Sequence, residues 1–287
     1  MIALLFTAQS ASAVIGIYVS PPGDIVSSMS NISEEEDFES APNNWTGSTI
    51  FDTDIGQYTQ LSGTVETLGD GAGGEQFGID DSSYLALSPS AELELQLDAS
   101  VQYFGFAWPA GDSDNRILVY DGATLLFTLD TGDIVDFLPN TTTSTVDSVD
   151  GATYNTEDYY GQPAFETVGG KDKGKGKGKG KGKGKDDPEV VLVDKGDRLN
   201  NNEPYAFIHI IANEGDSFDR IVFEHTRDGG KFETDNHAII DFGDSVTPNG
   251  DFVLVFDDAE TQLPEPQAYA LIFGFVTLAF IASRRRR

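Results

Sequence analysis

Hydrophobic and polar positions alternate with a period of two along much of this chain. Leu93, Leu95 and Leu97 alternate with Glu92, Glu94, Gln96 and Asp98, which predicts a strand with one wet face. Val101 to Trp108 is aromatic-rich and extends that reading. Ile117 to Tyr120 runs into Asp121-Gly122, a hairpin signal before Thr124 to Leu129. Further strands are predicted over Val190 to Val193, Tyr205 to Ile211, Arg220 to Phe223, His237 to Phe242 and Phe252 to Phe256. Clusters of Gly, Asp and Asn separate them, and no helical period occurs outside the two ends. The pattern predicts an all-β fold, an antiparallel β-sandwich of jelly-roll-like form with about eight to twelve strands.

The ends read differently. Ile2 to Ala8 is apolar and Ala11-Ser12-Ala13 is a small-x-small cleavage site, so 1–13 reads as the end of a secretory signal peptide, with the mature chain starting near Val14. The basic region that usually opens such a signal is missing, which places the translation start upstream of Met1 or makes the segment a buried strand instead. At the other end, Leu263-Pro264-Glu265-Pro266 precedes an uncharged stretch from Gln267 to Ser283, closed by Arg284, Arg285, Arg286 and Arg287. Its apolar part spans only ~22–26 Å as a helix, barely a bilayer core. Arginines after such a stretch hold the C-terminus in the cytoplasm. By physics alone this is a short membrane stop behind a proline-stiffened motif, or an ordinary tail anchor.

Those residues closely resemble the PEP-CTERM sorting signal of Gram-negative bacteria. Pro264-Glu265-Pro266, the apolar helix (transmembrane segment 268–282) and the arginine cluster occur in that order. The resemblance implies recognition by an exosortase-type processing enzyme, transient residence in the inner membrane, removal of the tail, and delivery to the cell surface or extracellular matrix. A looser resemblance, to a family of exosortase-dependent surface proteins, is carried by Tyr103-Phe104-Gly105-Phe106-Ala107-Trp108, Asp114-Asn115 and Ile117 to Tyr120. Phe218 to Phe223 and Phe232-Glu233-Thr234-Asp235-Asn236 fit the same family. It implies a secreted sandwich domain without an established enzymatic activity. The expected organisation is a signal peptide over 1–13, a β-sandwich domain over 14–262 interrupted by a disordered Lys/Gly tether over 169–188, and a sorting signal over 263–287.

Charge sharpens this picture. The 287 residues carry 48 acids against 18 bases, a formal charge of -30, and no cysteine. Disulfides, thiolate metal sites and cysteine nucleophiles are therefore excluded, and so acidic a body repels nucleic acid. Residues 171–185 hold eight lysines and one aspartate with no apolar residue to bury, which predicts an extended, disordered segment. It reads as a hook for anionic exopolysaccharide, as a clasp onto the acidic body, or as a tolerated repeat expansion in a surface loop. No aromatic residue interleaves for base stacking.

Candidate chemistry is sparse. Gly-Asp-Ser occurs at 111–113, 215–217 and 243–245, but a serine nucleophile of that type needs a strand-to-helix junction, and small polar turn residues explain all three. His209, His225 and His237 are too scattered for a helical metal pair, and His209, flanked by Ile208 and Ile210, reads as a packed side chain. Oxygen ligands for a structural calcium cluster at Asp112, Asp114 and Asn115, at Asp130, Asp133 and Asp136, and at Asp235, Asn236 and Asp241. Asp and Asn that cap turns are the alternative. For carbohydrate, Trp45, Trp108, Tyr154, Tyr159 and Tyr160 are candidate stacking platforms. Tyr159 and Tyr160 are the best placed, in a polar stretch, while Trp108 reads as core.

Overall fold

The computed structural model describes residues 14–43, 45, 49–69, 83–109, 114–160, 165–167, 190–192, 203–226, 229–241, 243–244, 246–248 and 254–257. The expected signal peptide, the Lys/Gly tether and the C-terminal sorting signal lie outside the described residues. Seventeen strands are described: β1 Val14–Val19, β2 Glu34–Glu36, β3 Ile50–Asp52, β4 Gly56–Ser62, β5 Val65–Leu68, β6 Tyr84–Leu87, β7 Glu92–Trp108, β8 Asn115–Asp121, β9 Thr124–Asp130, β10 Thr145–Asp147, β11 Thr153–Asn155, β12 Phe165–Thr167, β13 Val190–Leu192, β14 Ala206–Ala212, β15 Phe218–His225, β16 Phe232–Asp241 and β17 Leu254–Asp257. The described chain is mostly β, and its strand pairings are antiparallel. The count exceeds the expected range because several strands have only three residues, too few to leave a side-chain period. No helix among the described residues is long and apolar enough to cross a membrane.

The 17-residue strand β7 organises the molecule. Its first half pairs β4 on one side and β15 on the other. Past Val101, which is still opposite Phe218 of β15, its second half from Tyr103 to Trp108 pairs β14 and β16 instead. Leu93, Leu95 and Leu97 face the main core before the junction, and Phe104, Phe106 and Trp108 face the same core after it. Val101 faces that core too, so the buried parity switches from odd to even between Val101 and Phe104, where the register against β16 also shifts. Just before it, the register against β15 jumps between Arg220↔Gln96 and Phe218↔Val101, around the exposed Asp98, Ala99 and Ser100. A strand that shifts register at a corner turns the sheet back over itself. Phe223 of β15 consequently lies 6.2 Å, ring to ring, from both Phe104 and Phe106. Each such ring contributes about 1.5–3 kcal/mol by leaving water.

The layer β1, β14, second half of β7 and β16 is buried on both faces. Behind it a second cluster gathers Tyr18, Tyr103, Ala107, Phe207, Ile211, Ala238 and Ile240 under Ile25, Met29 and Ile32 of the segment 20–33, a strap crossing the outer face. This is why β14 reads as a continuous apolar run, Ala-Phe-Ile-His-Ile-Ile-Ala, whereas β8, wet on one face, alternates.

Two expectations change here. A seven-residue helix, α1 Thr131–Phe137, follows β9 where no helix was expected. Asp130 caps it: its Oδ1 accepts from the Asp133 backbone N–H at 3.1 Å, and Asp133 Oδ2 accepts from Asp130 N–H at 3.0 Å. Two residues read as calcium ligands thus form a reciprocal capping box. Along the chain, β12 and β13 pair with each other, Thr167 opposite Val190. Tyr160 and Pro204 form an isolated antiparallel bridge.

Candidate functional site

Each of the three histidines is buried with both ring nitrogens engaged. His209, on β14, stands directly opposite Gly105 of β7. Its Nε2 lies 2.8 Å from Ser20 Oγ and its Nδ1 2.9 Å from the Tyr103 hydroxyl. Tyr103 reaches it by lying across Gly105, where an added Cβ would sit 2.2 Å from the Tyr103 oxygen and 2.6 Å from Phe207 Cε1. Only glycine fits under that ring. The network continues into the strap, from Tyr103 to Ser27 at 2.7 Å and from Ser20 to Ser28 at 3.3 Å. A serine and an imidazole at 2.8 Å resemble a nucleophile and its base, but Ser20 and His209 are both wholly inaccessible. Their arrangement pins the strap to the sheet. Burial pushes the imidazole down to about 3, so it is neutral.

His237 is held in the main core. Its Nδ1 lies 2.7 Å from the Tyr58 hydroxyl and its Nε2 2.8 Å from Thr234 Oγ1. Phe223 stacks on the ring at 5.0 Å, and Phe38 meets it edge-on at 4.9 Å. Burial pushes this imidazole down to about 3 as well. Phe38 holds a left-handed φ of +58°, with its N–H donated to Glu36 Oε1 at 2.7 Å. Burial raises the Glu36 carboxyl, opposed by that N–H and reinforced by Asp37 and Asp54. Burial, with Glu36 and Asp235 nearby, raises the Tyr58 phenol. His225 bridges Asn115 Oδ1 at 2.9 Å and the Gly229 carbonyl at 2.8 Å.

Several of the expected calcium ligands make local hydrogen bonds instead. Asp112 lies outside the described residues. Asn115 is spoken for by His225, and the Asp114 carbonyl accepts from Thr226 N–H at 2.9 Å. Asp235 is fully buried, its Oδ1 accepting from Asn236 N–H at 2.8 Å, and Asn236 Nδ2 donates to the Ile25 carbonyl at 2.9 Å. Asp241 ends β16, where its N–H donates to Ser33 Oγ. Among the described residues, no group of three His, Asp or Glu side chains is placed to hold a metal ion.

The expected stacking platform is corrected outright. Tyr159 is fully buried and donates to the Ser20 carbonyl at 2.8 Å, and Tyr160 is 8% exposed and donates to the Leu138 carbonyl. Polar neighbours in sequence suggested solvent, but both rings turn inward to the main core. Trp108 is core as expected, and Trp45 is buried too, its Nε1 donating to Thr67 Oγ1 at 3.0 Å.

Among the described residues the charged groups are mainly acidic. The three described bases are all paired: Arg116 with Glu224 through Nε at 2.7 Å, Arg220 with Glu94 at 3.0 Å, and Lys231 with Glu66 at 2.8 Å. Arg220 also covers the Tyr120 ring at 3.8 Å. The Gly-Asp-Ser copies fall in turns where they are described: Gly215 and Gly243 have φ of +92° and +99°, and Ser217 runs straight into β15. Sequence reasoning missed Tyr58, Tyr103 and Asp216 as partners; the one legible signal was Gly105, a glycine inside an aromatic strand. The chain matches no family model, no curated protein and no solved structure.

Proposed function

We propose that this chain is an exported, non-enzymatic surface or extracellular-matrix protein, a jelly-roll-like acidic β-sandwich sorted through its C-terminal tail. The observation that carries the reading is the order Pro264-Glu265-Pro266, apolar segment 268–282, Arg284 to Arg287. In this reading an exosortase-type enzyme recognises Pro264, Glu265 and Pro266 while the arginines hold the precursor in the inner membrane. The interior is consistent with a structural role, because the side chains best suited to acid–base chemistry, His209 and His237, are spent on packing and hydrogen bonds. The lysine-rich segment over 171–185 supplies the charge that an anionic exopolysaccharide would meet.

The test is a chain carrying Glu265→Gln with Pro266→Ala, followed by fractionation. Accumulation of uncleaved precursor in the membrane supports the reading. Delivery of that variant to the surface in normal amounts overturns it.

A further inference from the structure

The strap and the histidines are internal devices, but one feature at the start of β1 is turned toward chemistry that the fold alone does not require. β1 begins at Val14, and the backbone nitrogen of Val14 donates to Asp216 Oδ2 at 3.2 Å. The strand ladder to β14 starts only at Ile15, opposite Ala212. The Val14 nitrogen therefore points to a carboxylate and not to a strand carbonyl. Asp216 is held ready for it. Its turn is closed by Asp216 N–H to the Asn213 carbonyl at 2.9 Å, with Gly215 at φ +92°. Asn213 N–H in turn donates to the Val14 carbonyl at 3.0 Å, and Gln102 Nε2 of β7 donates to the Asn213 carbonyl at 3.3 Å. Both backbone groups of Val14 are thus gripped by the 213–216 turn, the same turn that contains one of the Gly-Asp-Ser repeats.

We propose that the bond between Ala13 and Val14 is the processing site, and that the α-ammonium released there forms an ion pair with Asp216 that locks the start of β1 into place between β14 and β17. This rests on the export reading above. Hydrolysis after Ala11-Ser12-Ala13 adds water across the amide: the hydroxyl goes to the Ala13 carboxyl, and the Val14 nitrogen gains hydrogen and becomes an ammonium at neutral pH. A neutral amide donor is then replaced by a cation at the same 3.2 Å contact, which makes the hydrogen bond charge-assisted on both sides. The groups on the elements packed around Val14 are acidic: Asp216 and Glu214 in the β14–β15 turn, and Asp257, the register partner of Val14 on β17. Neither β14, its turn nor β17 carries a lysine or arginine, and His209 of β14 lies away from Val14, its register partner on β1 being Tyr18. The carboxylate raises the ammonium's pKa above its ordinary value of about 7.7–8.0. The ion pair's contribution is therefore complete below that value and is lost as pH rises through the raised one.

The experiment uses the full chain exported from a Gram-negative host. Intact-mass and N-terminal peptide analysis of the exported protein is expected to show Val14 first. An exported protein that begins elsewhere overturns the inference and leaves the export reading standing. A chain retained unprocessed inside the cell overturns that reading first. Thermal melts from pH 6.5 to 9.5 then compare the mature protein with Asp216→Asn, which keeps an acceptor oxygen but not the charge. They also include a chain with one Gly inserted between Ala13 and Val14, which moves the ammonium ~3.4 Å along the chain. The wild type is expected to lose about 1–3 °C across this range relative to both variants. Parallel profiles for all three proteins overturn the ion pair.

Discussion

Acid should unfold this protein through its interior histidines. In the unfolded chain an imidazole titrates near 6.5, whereas His209 and His237 are each pushed down to about 3 by burial. A depressed folded-state value means that the unfolded chain binds the proton first. Stability is then complete above about pH 6.5 and is lost as pH falls toward the folded value. At pH 4.5 each histidine costs on the order of 3 kcal/mol, since the unfolded chain binds its proton roughly two pH units earlier. Together they remove about twice that, comparable to the whole stability of a marginal domain. Carboxyls with raised values oppose this: burial raises Glu35, Glu36, Asp24 and Asp133, so the native state gains from their protonation. The absolute stability therefore mixes terms of opposite sign, and the decisive quantity is a difference in slope. Urea melts at pH 7.5, 6.5, 5.5 and 4.5 in fixed salt should show the slope of stability against pH fall by about 1.4 kcal/mol per unit for His209→Gln or for His237→Gln, and by twice that for the double variant. The comparison holds even if each variant starts less stable, provided that it folds at pH 7.5. Equal slopes for wild type and variants would refute the reasoning, as would an imidazole proton resonance of either residue titrating near 6.5 in the native protein.

Two further substitutions probe the same networks. Gly105→Ala places a methyl 2.2 Å from the Tyr103 oxygen, so the ring must leave His209; the expected loss is on the order of 3 kcal/mol by chemical melt, and a loss below about 1 kcal/mol would mean that Tyr103 has room to move. Tyr58→Phe removes the partner of His237 Nδ1 without emptying the core; a loss of about 1–3 kcal/mol is expected, and a neutral result in the same assay would show that the imidazole finds another partner.

The alternating Leu93, Leu95 and Leu97, the Asp121-Gly122 hairpin and the apolar run of β14 were legible along the chain, because each depends on side-chain period or on a glycine at positive φ, here +54° at Gly122. The strand-rich class and the packed state of His209 follow from the same local signals. β16 was legible only from His237 onward, because Glu233, Thr234, Asp235 and Asn236 look like a loop in sequence. In the fold all four are buried, since β6 and β7 flank the strand and a register shift with Asn236 at φ +50° absorbs the irregularity. Tyr159 and Tyr160 were misread for the same reason: polar neighbours along the chain say nothing of what packs over a ring from elsewhere. The corner in β7 leaves no composition signal either, as it consists of a parity change between Leu97 and Phe104. Long-range pairs, such as Ser20 with His209 or Val14 with Asp216, are set when the sheet turns at that corner and lays the strap and β1 beside distant partners. Period, turn chemistry and charge are properties of neighbouring residues and belong to the sequence. Which polar groups meet, and which are denied water, depends on contacts between residues more than 200 positions apart, and only the folded chain decides them.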